Sequence, residues 1–254
     1  MTTDRLKEHY EWRYSAERHI RSIQSIADTD CPTDRYQAAV HYLPRLFKGT
    51  SVLEVGAGTG HIAKSLLERD LGISRYVLSD ISGPRLEGIR ASLADSRVSV
   101  VEMDADEPPA DLAGQFDAII LVALIEHLVD PMGAMKKLRS LLRPGGFVYV
   151  DTPNIARYTQ RLKLLAGRFP STGSTNEGLT THDGKDADLY DEGHLHYFTF
   201  RSLSLMLTRY CGYRRVERLP YAGGRNPLGA ATHFRLARLW PEMFSELLVA
   251  AYAD

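Results

Sequence analysis

Apolar positions along the chain change their period several times, and the changes mark its elements. Leu6, Tyr10 and Tyr14, then Ile20, Ile23 and Ile26, recur near helical spacing until Cys31–Pro32 breaks the run, and a second helix is predicted over 34–47. SVLEV at 51–55 is a short β-branched stretch that stops on GAGTG, with a helical stripe of Ile62, Ala63, Leu66 and Leu67 directly behind it. The alternation then repeats. Strands are predicted at 75–80 (RYVLSD), 97–104 (RVSVVEMD), 116–122 (FDAIILV) and 147–153 (FVYVDTP), with helices over 83–94 and 131–142, the latter stopped by Arg143–Pro144–Gly145–Gly146. Strands separated by helices need crossover connections, so the expected fold is α/β, a doubly wound parallel sheet with helices on both faces. The nearly continuous apolar run at 118–122 suits a strand buried on both sides.

After Pro153 the rhythm breaks. Residues 154–167 pattern as a basic amphipathic helix, with Ile155, Tyr158, Leu162 and Leu165 opposite Arg157, Arg161 and Lys163, a stripe that reads most simply as a solvated face. The polar stretch at 171–193 is long for a loop, and such loops are functional or mobile. HLHYFTF follows, then a helix over 200–210 ended by Gly212, a strand at 213–219, a helix over 232–240 and a last strand, LLVAAY, at 247–252. This gives one domain in four parts: an N-terminal helical cap (1–48), a core (49–153), an insertion after the fifth strand (154–199) and the remainder of the sheet (200–254).

Composition excludes several classes. The 254 residues are 44% hydrophobic and 25% charged, enough for one sizeable core. With 31 basic and 32 acidic residues the net charge is -1, so no global basic field favours nucleic acid. Cys31 and Cys211 share no metal-ligand spacing and form no disulfide framework, which suits a reducing cytoplasm. The first residues are too charged for an export signal, and the apolar run at 118–125 is far too short for a membrane span. A soluble, cytoplasmic protein is expected.

The informative segment is LEVGAGTG, Leu53 to Gly60. Three glycines at alternate positions between a strand and a helix let the backbone turn sharply and approach a ligand. A dinucleotide site competes: counted from Gly58, the sixth position is Ala63, an allowed residue of that fingerprint, and Asp80 lies near the distance of its ribose-binding acid. Glu54 argues against it, because a carboxylate two residues before the first glycine would repel a pyrophosphate.

LEVGAGTG, YVLSD, EMDADEPP, FDAIILVALIEHLVDP and LLRPGGFVYVDTPN, in that order, resemble the motifs of class I S-adenosylmethionine-dependent methyltransferases, and within them the group that includes ubiquinone-biosynthesis, sugar and natural-product O-methyltransferases. The resemblance implies a Rossmann-like, seven-strand sheet, mostly parallel with an antiparallel last strand. It also implies a cofactor, S-adenosylmethionine, leaving as S-adenosylhomocysteine. Glu54, Gly56, Ala57, Gly58 and Gly60 would lie by its methionine and adenosine portions. Asp80, followed by Ile81, would hold the ribose hydroxyls, Asp104 and Ala105 the adenine edge, and Val122 ends the fourth-strand motif. Tyr10 and Tyr14 resemble aromatic positions of an N-terminal helix that closes over the cofactor; a packing stripe is the simpler reading, with Tyr14 the candidate contact.

Acceptor specificity is expected outside the core. His194 and His196 are the candidate catalytic residues, since neutral imidazole can take a proton from a hydroxyl and an extended segment would point both the same way. Each also reads as a packing or capping residue. His182, Asp183 and Asp191 fall in the polar stretch, where a solvated loop is the simple account. The ubiquinone-pathway relatives carry an acid three residues before the equivalent of Glu126 and use the region for a divalent metal; here that position is Ala123, so no metal is expected. The implied reaction is methylation of a small-molecule hydroxyl on a sugar or specialised metabolite, with nitrogen or carbon acceptors open. A nicotinamide oxidoreductase and a noncatalytic cofactor-binding protein are the rivals.

Overall fold

All five side chains of β1 (Ser51–Val55) are buried, because helices cover both of its faces and strands flank both of its edges. The computed structural model describes residues 7–9, 11, 23–224 and 228–254. Within them the seven strands lie in the order β3-β2-β1-β4-β5-β7-β6. The others are β2 (Arg75–Asp80), β3 (Val98–Glu102), β4 (Phe116–Val122), β5 (Leu142–Thr152), β6 (Arg215–Arg218) and β7 (Leu247–Tyr252). β1 to β5 pair in parallel, and β7 runs antiparallel to both β5 and β6. The expected α/β sheet and its antiparallel last strand are both present.

The helices that accompany the sheet are α1 (Arg35–Leu46), α2 (His61–Leu67), α3 (Gly83–Ser92), α4 (Pro131–Leu141), α5 (Tyr158–Leu165), α6 (Phe200–Leu205), α7 (Ala230–Leu239) and α8 (Pro241–Phe244). Alternation along the strands splits the core in two. Leu53, Ile119, Leu121 and Val148 face α4 and α6 on one side, while Val52, Ile120, Phe147 and Tyr149 face α1 and α2 on the other. Short polar residues fix several helix starts: Asp34 accepts the amides of Tyr36 and Gln37 at 2.9 Å, Asp130 that of Gly133 at 2.9 Å, and Thr199 forms a capping box with Ser202.

Three segments depart from the sequence reading. β5 begins at Leu142, ahead of the expected 147, because Leu142 pairs with Phe116 and a bulge absorbs the four residues before Phe147, which pairs with Ala118. The helix over 200–210 ends as a turn of π-helix at Met206–Tyr210. The expected solvated basic face at 154–167 is partly inverted. Arg157 is 6% exposed and ion-paired to Glu246 at 2.6 Å, whereas Leu162 and Leu165 are 58% and 85% exposed. Asn154 causes this: its side chain accepts the Ala156 amide and donates to the Ser245 carbonyl, so the chain turns before the helix starts at Tyr158. Among the described residues no helix is long and apolar enough to cross a membrane.

The polar stretch at 171–193 is gathered around one carboxylate. Asp191, 0% exposed, accepts hydrogen bonds from the Ser171 hydroxyl (2.5 Å), the amides of Thr172, Gly173 and Ser174 (3.0–3.1 Å) and the Tyr197 hydroxyl (2.8 Å). It is therefore neither a solvated loop residue nor a group open to substrate. Burial alone would raise its pKa, but the bonds from Ser171, Thr172 and Tyr197 outweigh it and hold the carboxyl below its ordinary value. A carboxyl depressed in the folded state contributes stability above its ordinary pKa and loses it as pH falls through the folded value. Asp191→Ala is expected to accelerate amide exchange of residues 172–174 at neutral pH. In the unchanged protein the same protection should fade on acidification below about pH 4, as read by hydrogen–deuterium exchange.

Candidate active site at the carboxyl ends of β1 and β4

The strand order reverses between β1 and β4, so the connections leaving their carboxyl ends diverge and open a crevice. Gly56, Gly58 and Gly60 all have left-handed backbones, with φ of 69°, 58° and 77°. A Cβ on Gly56 would lie 3.0 Å from a Leu124 methyl, and one on Gly58 3.0 Å from Arg85 Nη1, so a side chain at either position would crowd its neighbour and hold a strained backbone. Asp80, at the end of β2, clamps this turn: its Oδ2 accepts the Gly58 amide at 3.1 Å and its Oδ1 the Ser82 amide at 3.0 Å.

Two adjoining cavities meet at Gly56, Arg85, Ala123 and His127. The first is bordered by Asp80, Ile81, Met103, Asp104, Ala105 and Leu128. The second is bordered by Glu54, Ala57, Gly58 and Val122 from the core, by Arg35 from α1, and by Thr172 and His194 from the insertion. Sequence-selected residues thus converge from four strand ends. Gly60 borders neither cavity and serves instead as the left-handed residue that starts α2. His196 also lies off both, with its ring 6.4 Å from that of Phe198, although it and His194 read as sharing a face. The segment is not a strand, so period-two alternation does not apply. His182 borders the second cavity, and Tyr10 and Tyr14 lie outside the described residues. Asp106 accepts the amides of Val129 and Asp130 ahead of α4, and Lys137 bonds the Asp106 carbonyl and Glu107, so these two acids are loop and helix-start fixtures.

Several carboxyl groups near the crevice are buried. Glu54, 4% exposed, is pushed up to about 7 by burial, opposed by a 2.6 Å hydrogen bond donated by the Tyr76 hydroxyl. Asp151 is pushed up to about 6 by burial, against the pull of Arg35, whose Nε lies 3.5 Å away, and of the Tyr221 hydroxyl at 2.7 Å. Burial also raises Asp104 above its ordinary value. His194 moves the other way: burial and neighbouring His127 bring it down to about 4, so its ring is uncharged at neutral pH. The two imidazoles meet edge to face, with centroids 4.6 Å apart. Ala123, just past β4, has φ +51°, a conformation alanine rarely adopts, and its amide donates to the Asp151 carbonyl at 3.0 Å.

A family model described as "Methyltransferase domain" matches residues 31–214. The chain belongs to this methyltransferase family. It is 33% identical over 122 residues to a ubiquinone biosynthesis O-methyltransferase of Xanthomonas campestris pv. campestris, a match covering 47% of this chain and 48% of that protein. A protein of the same description from Pseudomonas paraeruginosa is 29% identical over 109 residues. The chain thus spans about half the length of the curated relatives it matches. Two solved structures share the fold. One is a methyltransferase in complex with the Haloferax volcanii Trm112 methyltransferase activator (TM-score 0.57, 18% identity, 99% of this chain and 93% of that one). The other is a Burkholderia thailandensis 1,6-didemethyltoxoflavin-N1-methyltransferase with bound S-adenosylhomocysteine (TM-score 0.55, 17% identity, 97% and 86%). The class I fold and the family make S-adenosylmethionine the implied cofactor.

The crevice contains residues that the sequence reading passed over. Arg35 sits one residue past the Asp34 cap, and only the fold brings it to Asp151, 116 positions away. Arg85 lies in the first turn of α3, and its Nη1 stands 4.0 Å from Asp80. Thr172 donates or accepts a 2.8 Å hydrogen bond with His194 Nδ1. No spacing announces these three, although a lone arginine near a capping acid would have justified a search. Glu54 generates a prediction of its own. Its folded pKa stands above that of an unfolded glutamate, so it adds most to stability at low pH and becomes a cost as pH rises through about 7. Glu54→Gln, which keeps an acceptor for Tyr76, is expected to raise the melting temperature at pH 8.5 and to change it far less at pH 5, as read by scanning calorimetry.

Proposed function

We propose that the protein transfers a methyl group from S-adenosylmethionine to a hydroxyl of a small molecule, of the sugar or specialised-metabolite class. The observation that carries this reading is the pair of cavities joined at Gly56, Arg85, Ala123 and His127: one is bordered by Asp80, Asp104 and Ala105, a lining that would suit a nucleoside, and the other opens between the glycine turn and the insertion. The fit to the cofactor rests on this chain's own groups. Asp80 would hold the ribose, Asp104, Ala105 and Ile81 the adenine, and Glu54 with Gly56 to Gly58 the amino-acid end, whose carboxylate Arg35, on the border of the second cavity, would attract. A Cβ at Gly56 or Gly58 would press on Leu124 or Arg85 at the cradle wall. When bound, the cofactor supplies a methyl group already activated on a sulfonium sulfur.

The remaining task for the protein is to orient the acceptor and exclude water, which can contribute roughly 7–11 kcal/mol to lowering the barrier. His194 borders the second cavity as a neutral imidazole and offers the acceptor hydroxyl a hydrogen-bond partner. A ring with a pKa of about 4 is a weak base, so positioning outweighs proton removal. The oxygen acceptor is supported by the similarity to ubiquinone-biosynthesis O-methyltransferases. A cytoplasmic location is supported by two free cysteines, Cys31 and Cys211. The near-neutral charge balance gives no support to a nucleic-acid partner.

The decisive experiment is calorimetric titration with S-adenosylhomocysteine and with NAD, followed by a screen of hydroxylated acceptors for S-adenosylhomocysteine release. Binding of S-adenosylhomocysteine alone is expected, weakened about 10- to 100-fold in Asp80→Ala through loss of charged hydrogen bonds. A preference for NAD would sink the reading, and cofactor binding without turnover on any hydroxyl, amine or carbon acceptor would make the protein a noncatalytic binder. His194→Ala should lower kcat with S-adenosylhomocysteine affinity retained. His196→Ala, altered off the cavity, should lower it less; unchanged kcat in both variants removes the pair from the mechanism.

A further inference from the structure

Glu126 is 1% exposed, and its carboxylate is satisfied on one side only: Oε2 accepts the Thr152 hydroxyl at 2.8 Å, while Oε1 is buried with no hydrogen-bond partner. An orphaned buried carboxylate oxygen is costly unless a cation completes it. Next in sequence, His127 turns toward the second cavity, and the fold brings His194 across from the insertion. One ligand-type atom from each of Glu126, His127 and His194 lies within 4.8 Å of the other two. The sequence reading expected no metal because Glu126 and His127 alone are two donors; folding supplies the third, from 67 residues further along the chain.

The supports of these side chains match those of metal ligands. His127 Nδ1 is 3.1 Å from the Gly193 carbonyl, and His194 Nδ1 is 2.8 Å from the Thr172 hydroxyl. An Nδ1 hydrogen bond to an oxygen fixes ring orientation and presents Nε2 for coordination, the usual arrangement around a metal-bound histidine. Charge favours a cation as well: two buried carboxylates, Asp151 and Glu126, share the one guanidinium of Arg35. Two imidazoles and one carboxylate are a donor set for zinc and its borderline neighbours, whereas magnesium prefers oxygen alone. Bonds of about 2.0–2.1 Å would draw the donors to roughly 3.3 Å apart in a tetrahedral site, a side-chain adjustment that leaves the fourth position facing the cavity.

We propose that Glu126, His127 and His194 bind one zinc-class divalent ion, which fastens the insertion to the end of β4 and presents an open coordination position to the second cavity. Binding stands on these side chains alone. A role for the ion in holding and acidifying an acceptor hydroxyl, in place of a direct hydrogen bond from His194, rests on the methyl-transfer reading above.

The test is titration of the full chain with Co²⁺, followed by its visible absorption, and with Zn²⁺, followed by calorimetry and by hydrogen exchange over residues 171–196. One equivalent should bind, with a low-coordinate cobalt spectrum and slower exchange in the insertion on zinc addition. His194→Ala and Glu126→Gln should abolish the spectrum. Thr172→Val, which keeps all three ligands, should weaken zinc binding about 10- to 100-fold. Circular dichroism and S-adenosylhomocysteine binding report folding in each variant. Absence of a cobalt spectrum in a chain that binds S-adenosylhomocysteine overturns the metal site, as does a spectrum indifferent to His194→Ala. A chain that binds cobalt through these residues but not S-adenosylhomocysteine keeps the metal site and overturns the methyl-transfer reading.

Discussion

Burial of both faces of β1 and β4 is the constraint from which the rest of the structure follows. A parallel strand between two helical layers has no solvent-facing side, so polar groups can emerge only where the strand ends. β1 ends one residue past Glu54, at the glycine turn, β2 ends on Asp80, and β4 on Val122 before the strained Ala123. The reversal of strand order between β1 and β4 then separates the outgoing connections and leaves a crevice among these groups. Asp80 makes the arrangement rigid, because its carboxylate holds the Gly58 amide and the start of α3 at once.

The core half of this arrangement was legible in the sequence for a physical reason. β1, β2, β4 and β7 have the bounds that apolar runs and turn residues predict, since burial on two faces imposes a pattern that no other element shares. The glycine turn and its acids were legible because each must carry one residue type at a fixed distance from a strand end. The acceptor side was less so. Arg35, Thr172 and His127 reach their partners only through tertiary contacts, and the inverted exposure of Arg157 and Leu165 shows helical periodicity failing because the turn at Asn154 leaves Arg157 ahead of the helix, where it pairs with Glu246. His196 illustrates the same limit, because its expected direction depended on a strand that does not form.

The crevice concentrates charge that folding tolerates at a cost. Glu54, Asp104 and Asp151 are all shifted toward their protonated forms, chiefly by burial, and His194 toward its neutral form for the same reason. The shifts of Glu54, Asp151 and His194 mark a crevice wall in which the fold shields charge from solvent. Such a wall strengthens each polar contact it makes with a bound molecule, so a few hydrogen bonds can orient a small acceptor.

The way Asp191 is held bears on how such a protein can diversify. Its carboxylate organises the loop that forms one wall of the second cavity through hydrogen bonds to backbone amides, hydroxyls and a tyrosine, with little demand on the apolar layers beneath. Backbone amides are common to every sequence. Loop residues that point away from that anchor are therefore free to change, and a new molecular preference can arise by rewriting one surface segment while the sheet that carries the chemistry stays as it is.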